Sequence, residues 1–160
     1  KALQNRQNPG ELVYDRHEVK INTTFPIIIP ASYVIDVSAR FNMYKKLTSI
    51  NTYAEKILIL DEVTDLYGKL PTAVKHLADV NLIKSIAEPL LVSSINLTKN
   101  SATIHFNVEP KIDSGKLIDI VTKNSHYKFS GNTTVAITYA ANNIEQILSD
   151  AYELLANIAL

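Results

Sequence analysis

Apolar residues recur at intervals of three and four in the first half of the chain and at intervals of two through much of the second. Over residues 32–49 the positions Val34, Val37, Phe41, Tyr44 and Leu47 fall on one face of a 3.6-residue period, which predicts a helix. Thr52-Tyr53-Ala54-Glu55 is a capping box, in which the threonine and glutamate side chains take up amides left bare at a helix start. A second helix is expected from there, with Ala54, Ile57, Leu58 and the stretch 60–67 as its apolar face. Asp65-Leu66-Tyr67-Gly68-Lys69-Leu70-Pro71 then turns the chain: Gly68 can take the positive φ that ends a helix, and the fixed φ of Pro71 suits the start of the next. Val74, Leu77, Ala78, Leu82 and Ile86 form the stripe of a third helix, with Pro89 as its stop.

The period then shortens. Leu91, Ile95 and Leu97 alternate with polar residues, residues 99–101 make a turn, and Ala102, Ile104, Phe106 and Val108 alternate with Thr103, His105 and Asn107, which reads as a hairpin with one wet face. Asp113 is placed to cap a short helix carrying Leu117, Ile118 and Val121. Tyr127 and Phe129 suggest a short strand, Ser130-Gly131-Asn132 a turn into a strand over 133–139, and 143–160 a closing helix. Upstream, 17–23 alternates weakly and suits an edge strand, whereas Pro26 and Pro30 forbid a central strand over 25–30. The order, three amino-terminal helices followed by a small, mostly antiparallel sheet with two further helices, predicts an α+β fold.

At 160 residues and 46% hydrophobic, the chain has the size of one domain. Residues 1–12, rich in Gln and Asn around Pro9-Gly10, read as a tail, leaving 13–160 as a single domain. The chain opens on Lys1 and is expected to be part of something longer. Without cysteine there is no disulfide framework, thiolate zinc site or cysteine nucleophile, which suits the cytoplasm. Sixteen basic and sixteen acidic residues cancel, with no basic run beyond Lys45-Lys46, so direct nucleic-acid binding is not expected. No apolar run has the length of a membrane span, so no membrane partner is expected either. The three Asn-x-Thr sequons at Asn22, Asn96 and Asn132 are what chance gives in a sequence rich in both residues.

Candidate chemistry is sparse. Histidines at 17, 76, 105 and 126 show no zinc-binding spacing; His105 and His126 read as solvated. Four dispersed glycines, at 10, 68, 115 and 131, cannot build a phosphate loop. Asp36 and Arg40, four apart with the acid first, suit a helical ion pair. Asp61, Glu62 and Asp65 would be the carboxylates of a hydrolase, but on an exposed helix they make poor general acids. Glu62 and Asp65 have a second distinction. They stand three apart just before a helix end, where the partial negative charge disfavours carboxylates by about 0.3 to 1 kcal/mol each unless a cation is near. The ordinary explanation is a solvated helix end, with Asp65 partly neutralised by Lys69.

Pro30-x-x-Tyr33, Asp36-x-x-x-Arg40-x-x-x-Tyr44-Lys45-Lys46-Leu47 and Glu62-x-x-Asp65-x-Tyr67-Gly68-x-Leu70-Pro71, in this order, resemble the carboxy-terminal (TRCF) domain of the bacterial transcription-repair coupling factors. The likeness runs over residues 19–86 by motif. Leu66 stands where that family has arginine, and the arginine-rich run of its third helix is missing. The resemblance implies a non-catalytic regulatory domain, without cofactor, at the end of a large DNA translocase. It implies docking on the UvrB-like amino-terminal module of the same polypeptide, which masks the surface that recruits UvrA and restrains the ATPase motor until RNA polymerase is engaged. Glu62 and Asp65 inherit the interdomain contact, and Asp36, Arg40, Tyr44, Gly68 and Pro71 the structural motif. Two other readings stand beside it: an interaction domain for an external partner, and a carboxylate-dependent hydrolase.

Overall fold

A computed structural model describes residues 18–160, so the expected tail at 1–12 and the start of the first strand at His17 lie outside the described residues. Elements follow in the order β1 (Lys20–Thr23), α1 (Val37–Thr48), α2 (Tyr53–Tyr67), α3 (Thr72–Ala87), a 3₁₀ turn (Glu88–Leu90), β2 (Val92–Leu97), β3 (Ser101–Phe106), α4 (Ser114–Lys123), β4 (Tyr127–Phe129), β5 (Thr134–Thr138) and α5 (Ile144–Ile158). The fold is α+β, as expected. The five strands of the described residues lie in the order β1-β2-β3-β5-β4. Every neighbouring pair is antiparallel except β1 with β2, which run parallel with Lys20 opposite Ser94 and Thr23 opposite Leu97. Parallel strands require a long crossover. Here the crossover is the three-helix layer itself.

Alternation places Ile95, Leu97, Ala102, Ile104, Phe106, Val135 and Ile137 on one face of the sheet, in a single cluster with Val80, Ile83 and Ala87 of α3, Leu117 and Val121 of α4, and the apolar face of α5. The other face carries half-buried Thr103 and His105, whose Nδ1 lies 3.0 Å from the hydroxyl of its cross-strand neighbour Thr134. A second core gathers Val34, Met43, Leu47, Ile50 and Val63 around Val74, Leu77, Ala78 and Leu82 of α3. α3 is therefore apolar on nearly all sides because it serves both cores. Tyr152 and Ile27, both partly buried, also touch the two clusters.

Several sequence expectations are corrected at the first two helices. α1 begins at Val37, five residues after the expected start at Ser32. Residues before it form a turn in which the Pro30 carbonyl accepts from the amides of Tyr33 and Val34. Asp36 is the N-cap, accepting from the Ala39 amide at 2.8 Å, and Arg40 donates to the carbonyls of Val34 and Ile35. The Asp36–Arg40 ion pair is not formed. An N-cap bond is worth about 1 kcal/mol against a few tenths for a surface i,i+4 pair, so the cap takes the carboxylate. Val37 and Phe41, expected on the apolar face, are 70% and 62% exposed; Leu47 is buried as expected, joined by Met43, which the expected stripe left out.

The capping box at Thr52 forms as expected: its hydroxyl accepts from the Glu55 amide, and Glu55 reaches back to the amide of Asn51. The expected apolar face of α2 holds in part: Leu60 and Val63, with Ile59, meet the core, whereas Ala54, Ile57, Leu58, Leu66 and Tyr67 are exposed. Pro71 is the N-cap of α3 and does not enter its first turn. Asp113 and Asn143 cap α4 and α5, accepting from the amides of Lys116 and Gln146. Leu91 lies outside β2 with φ +61°, closing the turn that Pro89 begins.

Candidate functional site

The candidate site is the carboxy-terminal end of α2 and the turn to α3. α2 stops at Tyr67 because Gly68, at φ +90° and ψ −163°, adopts a conformation essentially closed to other residues, while its amide still reaches the Thr64 carbonyl at 2.8 Å. The turn is held from outside as well. The Tyr33 hydroxyl donates to the Gly68 carbonyl at 2.7 Å, and the rings of Tyr33 and Tyr67 meet with centroids 5.8 Å apart. Tyr44 fixes the neighbouring segment through its hydroxyl, which accepts from the Ile29 amide at 2.8 Å. Thus Pro30, Tyr33, Arg40, Tyr44, Gly68 and Pro71 form one scaffold of turns that positions the end of α2.

On that scaffold Glu62 is half exposed and pairs across to Lys46 of α1 at 3.0 Å. Asp65 and Asp61 are exposed and, among the described residues, make no ion pair or side-chain hydrogen bond, so Lys69 does not form a salt bridge with Asp65. With 100° per residue, Leu58, Asp61, Glu62 and Asp65 share the outward side of α2. This side presents three carboxylates and one leucine, of which a single acid has a cation beside it. A groove of about 210 Å³ runs between α1 and α2, floored by Met43 and Val63 and rimmed by Leu66 and Tyr67. Glu62 and Lys46 are its two charged lining residues, so the groove does not bring Glu62 together with a second acid.

Sequence reasoning missed the most buried polar group among the described residues. His76, 5% exposed in α3, places Nε2 2.8 Å from Oε2 of Glu145 in α5 and meets the ring of Phe25 edge-on at 5.4 Å. The hydrogen bond from His76, then that from Glu145's own amide, holds the Glu145 carboxyl below the ordinary range; desolvation opposes them, and the charges of His76 and Lys75 add to the lowering. The separation of 69 residues leaves no local signal in the sequence for this pair. Among the described residues no cluster of three or more His, Cys, Asp or Glu could hold a metal ion, and no helix is long and apolar enough to cross a membrane.

The model of the TRCF domain matches residues 23–117, which hold the whole scaffold and the acidic end of α2. The chain belongs to the TRCF domain family. Its domain is similar to part of the transcription-repair-coupling factor of Haemophilus influenzae, with 27% identity over 132 residues that make up 82% of this chain and 12% of that protein. The Escherichia coli protein is 24% identical over 133 residues, again 82% of this chain and 12% of the relative. The Bacillus subtilis protein is 30% identical over 108 residues, 66% of this chain and 9% of that one. A crystal structure of the C-terminal domain of transcription-repair coupling factor superposes with a TM-score of 0.74 at 18% identity, covering 88% of this chain and 93% of that one, and establishes the likeness of fold. This TRCF domain thus spans about a tenth of the length of the relatives it matches.

Proposed function

We propose that this TRCF domain is a non-catalytic, autoinhibitory brake at the carboxy-terminal end of a cytoplasmic DNA translocase. It docks through the end of α2 on the UvrB-like module of its own polypeptide, masks recruitment of UvrA and restrains the ATPase motor until RNA polymerase is engaged. The observation that carries this reading is the state of the two carboxylates: Asp65 stands exposed and, among the described residues, unpaired on a helix end that disfavours it, and Glu62 has one replaceable surface partner. Asp65 is open to a cation of another domain and Glu62 can exchange its surface lysine for one, on a turn held by Tyr33 and Gly68.

The energetics suit an intramolecular lock. Exposed ion pairs contribute about 0 to 1 kcal/mol each, far below what two separate proteins need. Tethered in one chain, two domains see each other at about millimolar concentration, so a contact of about 4 kcal/mol holds them and still releases. A carboxylate-dependent hydrolase finds less support, since Asp61, Glu62 and Asp65 all face solvent and Glu62 shares its groove with a lysine.

The test is Glu62→Lys with Asp65→Lys in the full-length protein. Melting of the isolated domain is expected to stay within about 1 kcal/mol of the parent, the most that the Lys46 pair contributes, while ATPase activity or UvrA binding rises. Unchanged activity and binding overturn the clasp. A pull-down of the separate domain against the UvrB-like module and against UvrA distinguishes the external-partner reading, which requires capture of UvrA and not of the module.

A further inference from the structure

The geometry points to a second contact site, a cleft between the amino-terminal end of α2, α3 and α5 that takes an arginine side chain from a partner protein. The cleft encloses about 470 Å³. Leu82, Ile83 and Leu148 supply an apolar floor, and Tyr53 and Tyr152 stand in its walls. Its ionic lining is unbalanced: Asp79, Glu145 and Glu153 face a single ammonium, that of Lys56. That ammonium is fully engaged, 2.7 Å from Asp79 Oδ1 and 4.8 Å from the centroid of the Tyr53 ring. The pair is largely withdrawn from solvent, with Lys56 and Asp79 side chains 14% and 28% exposed. What remains on offer is Glu153 and the second carboxylate oxygen of Glu145, whose side chain is 73% exposed while its Oε2 is bonded to His76; the two residues border the cleft on α5 and flank Ser149 and Tyr152.

These features select the ligand by chemistry. Excess carboxylate calls for a cation, the floor accepts an aliphatic stem, and a tyrosine wall favours a planar cation that stacks. Guanidinium satisfies all three, and its planar fork can bond both oxygens of a carboxylate while its flat face stacks on a ring, a geometry the compact charge of an ammonium lacks. Lys56 over Tyr53 already displays a cation held by ring and carboxylate within the same cleft. The receptor is also preorganised. Tyr152 packs against both hydrophobic cores, and Glu145 is tethered at 2.8 Å to buried His76, so neither needs to be ordered on binding. Tyr53 lies twelve residues before Asp65, about 18 Å along α2. The cleft therefore engages a partner independently of the acidic end of that helix, and stands whether or not that end is a clasp.

The test is an ¹⁵N–¹H correlation titration of this chain with the peptide Ac-Ala-Arg-Ala-NH₂, its neutral isostere carrying citrulline, and spermidine. The arginine peptide is expected to give saturable shifts at the amides of Tyr53, Ser149, Tyr152 and Glu153. The citrulline peptide should bind at least about tenfold more weakly, a loss in keeping with a charge-assisted contact. Glu145→Gln with Glu153→Gln, whose spectrum itself reports an intact fold, should weaken the arginine peptide by about the same factor, while Glu62→Lys with Asp65→Lys leaves its affinity unchanged. Absence of saturable shifts at these amides, an equal response to citrulline, or shifts confined to the Glu62–Asp65 region overturns the site. Equal or tighter binding of spermidine assigns the cleft to free polyamines and overturns the arginine proposal.

Discussion

Gly68 and Tyr33 show how single residues set the candidate site. A Cβ on Gly68 would meet no atom within 4 Å, so any penalty for Gly68→Ala arises from the backbone, in a φ,ψ region nearly reserved for glycine. About 1–3 kcal/mol of destabilisation is expected, read as a lower urea midpoint at unchanged slope. Tyr139 carries a pH-dependent contribution of its own. Its hydroxyl donates to Asp150 Oδ2 at 2.5 Å, and that bond, then burial, then the Asp150 charge push its pKa up from 10.0 to about 12. Tyr127, raised to about 12 chiefly by burial, titrates in the same range. A phenol whose pKa is raised by folding stabilises the native state fully below its unfolded pKa, and that stabilisation is lost as pH climbs through the folded value. The stability advantage of the parent over Tyr139→Phe should therefore be constant below about pH 10 and shrink toward about pH 12 in urea titrations. A constant gap across that range would place the Tyr139 effect in packing.

Among the elements, those announced by their own local chemistry were legible, and those defined by what they face were not. Thr52-x-x-Glu55, Asp113 and the alternation through Ala102, Ile104 and Phe106 each carry a signal within a few residues, and each element forms where that signal lies. The parallel pairing of β1 with β2 carries none, since the strands meet across three helices. Periodicity likewise counts apolar residues without saying which stripe meets the core. Leu58 reads as a core position and Ile83 falls outside the expected stripe of its helix, yet Leu58 is 69% exposed and Ile83 1%. At the site, Glu62, Asp65, Gly68 and Pro71 were legible because the turn chemistry is contiguous, whereas the cleft at Tyr53, Lys56, Asp79 and Glu145 joins three helices and leaves no sequence pattern. The difference is measurable. Ile83→Ala should cost about 2–5 kcal/mol through the lost transfer energy and the cavity, and Leu58→Ser should stay within about 0.5 kcal/mol, both read from denaturation midpoints.

For the whole molecule, the decisive feature is that its two cores share a helix. α3 gives Val74, Leu77, Ala78 and Leu82 to the helical core and Val80, Ile83 and Ala87 to the sheet core, so neither can lose its packing without exposing part of the other. The crossover topology strengthens the link. β1 precedes the helical layer and β2 follows it, and the two are hydrogen-bonded side by side, which closes the helices into a loop anchored at both ends of the sheet's edge. Tyr152 of α5, touching both clusters, and the His76–Glu145 bond between α3 and α5 fasten the layers further. Such an arrangement should unfold as one unit despite its two cores. Far-ultraviolet dichroism and near-ultraviolet dichroism of the tyrosines are expected to give coincident urea transitions. Amide exchange in buried parts of α3 and β3 should report the same opening free energy. An earlier transition confined to α1 and α2 would show the helical layer to be a separate cooperative unit, and the turn at Gly68 would then be presented by a module that melts on its own. Coincidence would mean that the acidic end of α2 is carried on the full stability of the domain, the property required of a surface that must release a partner without itself unfolding.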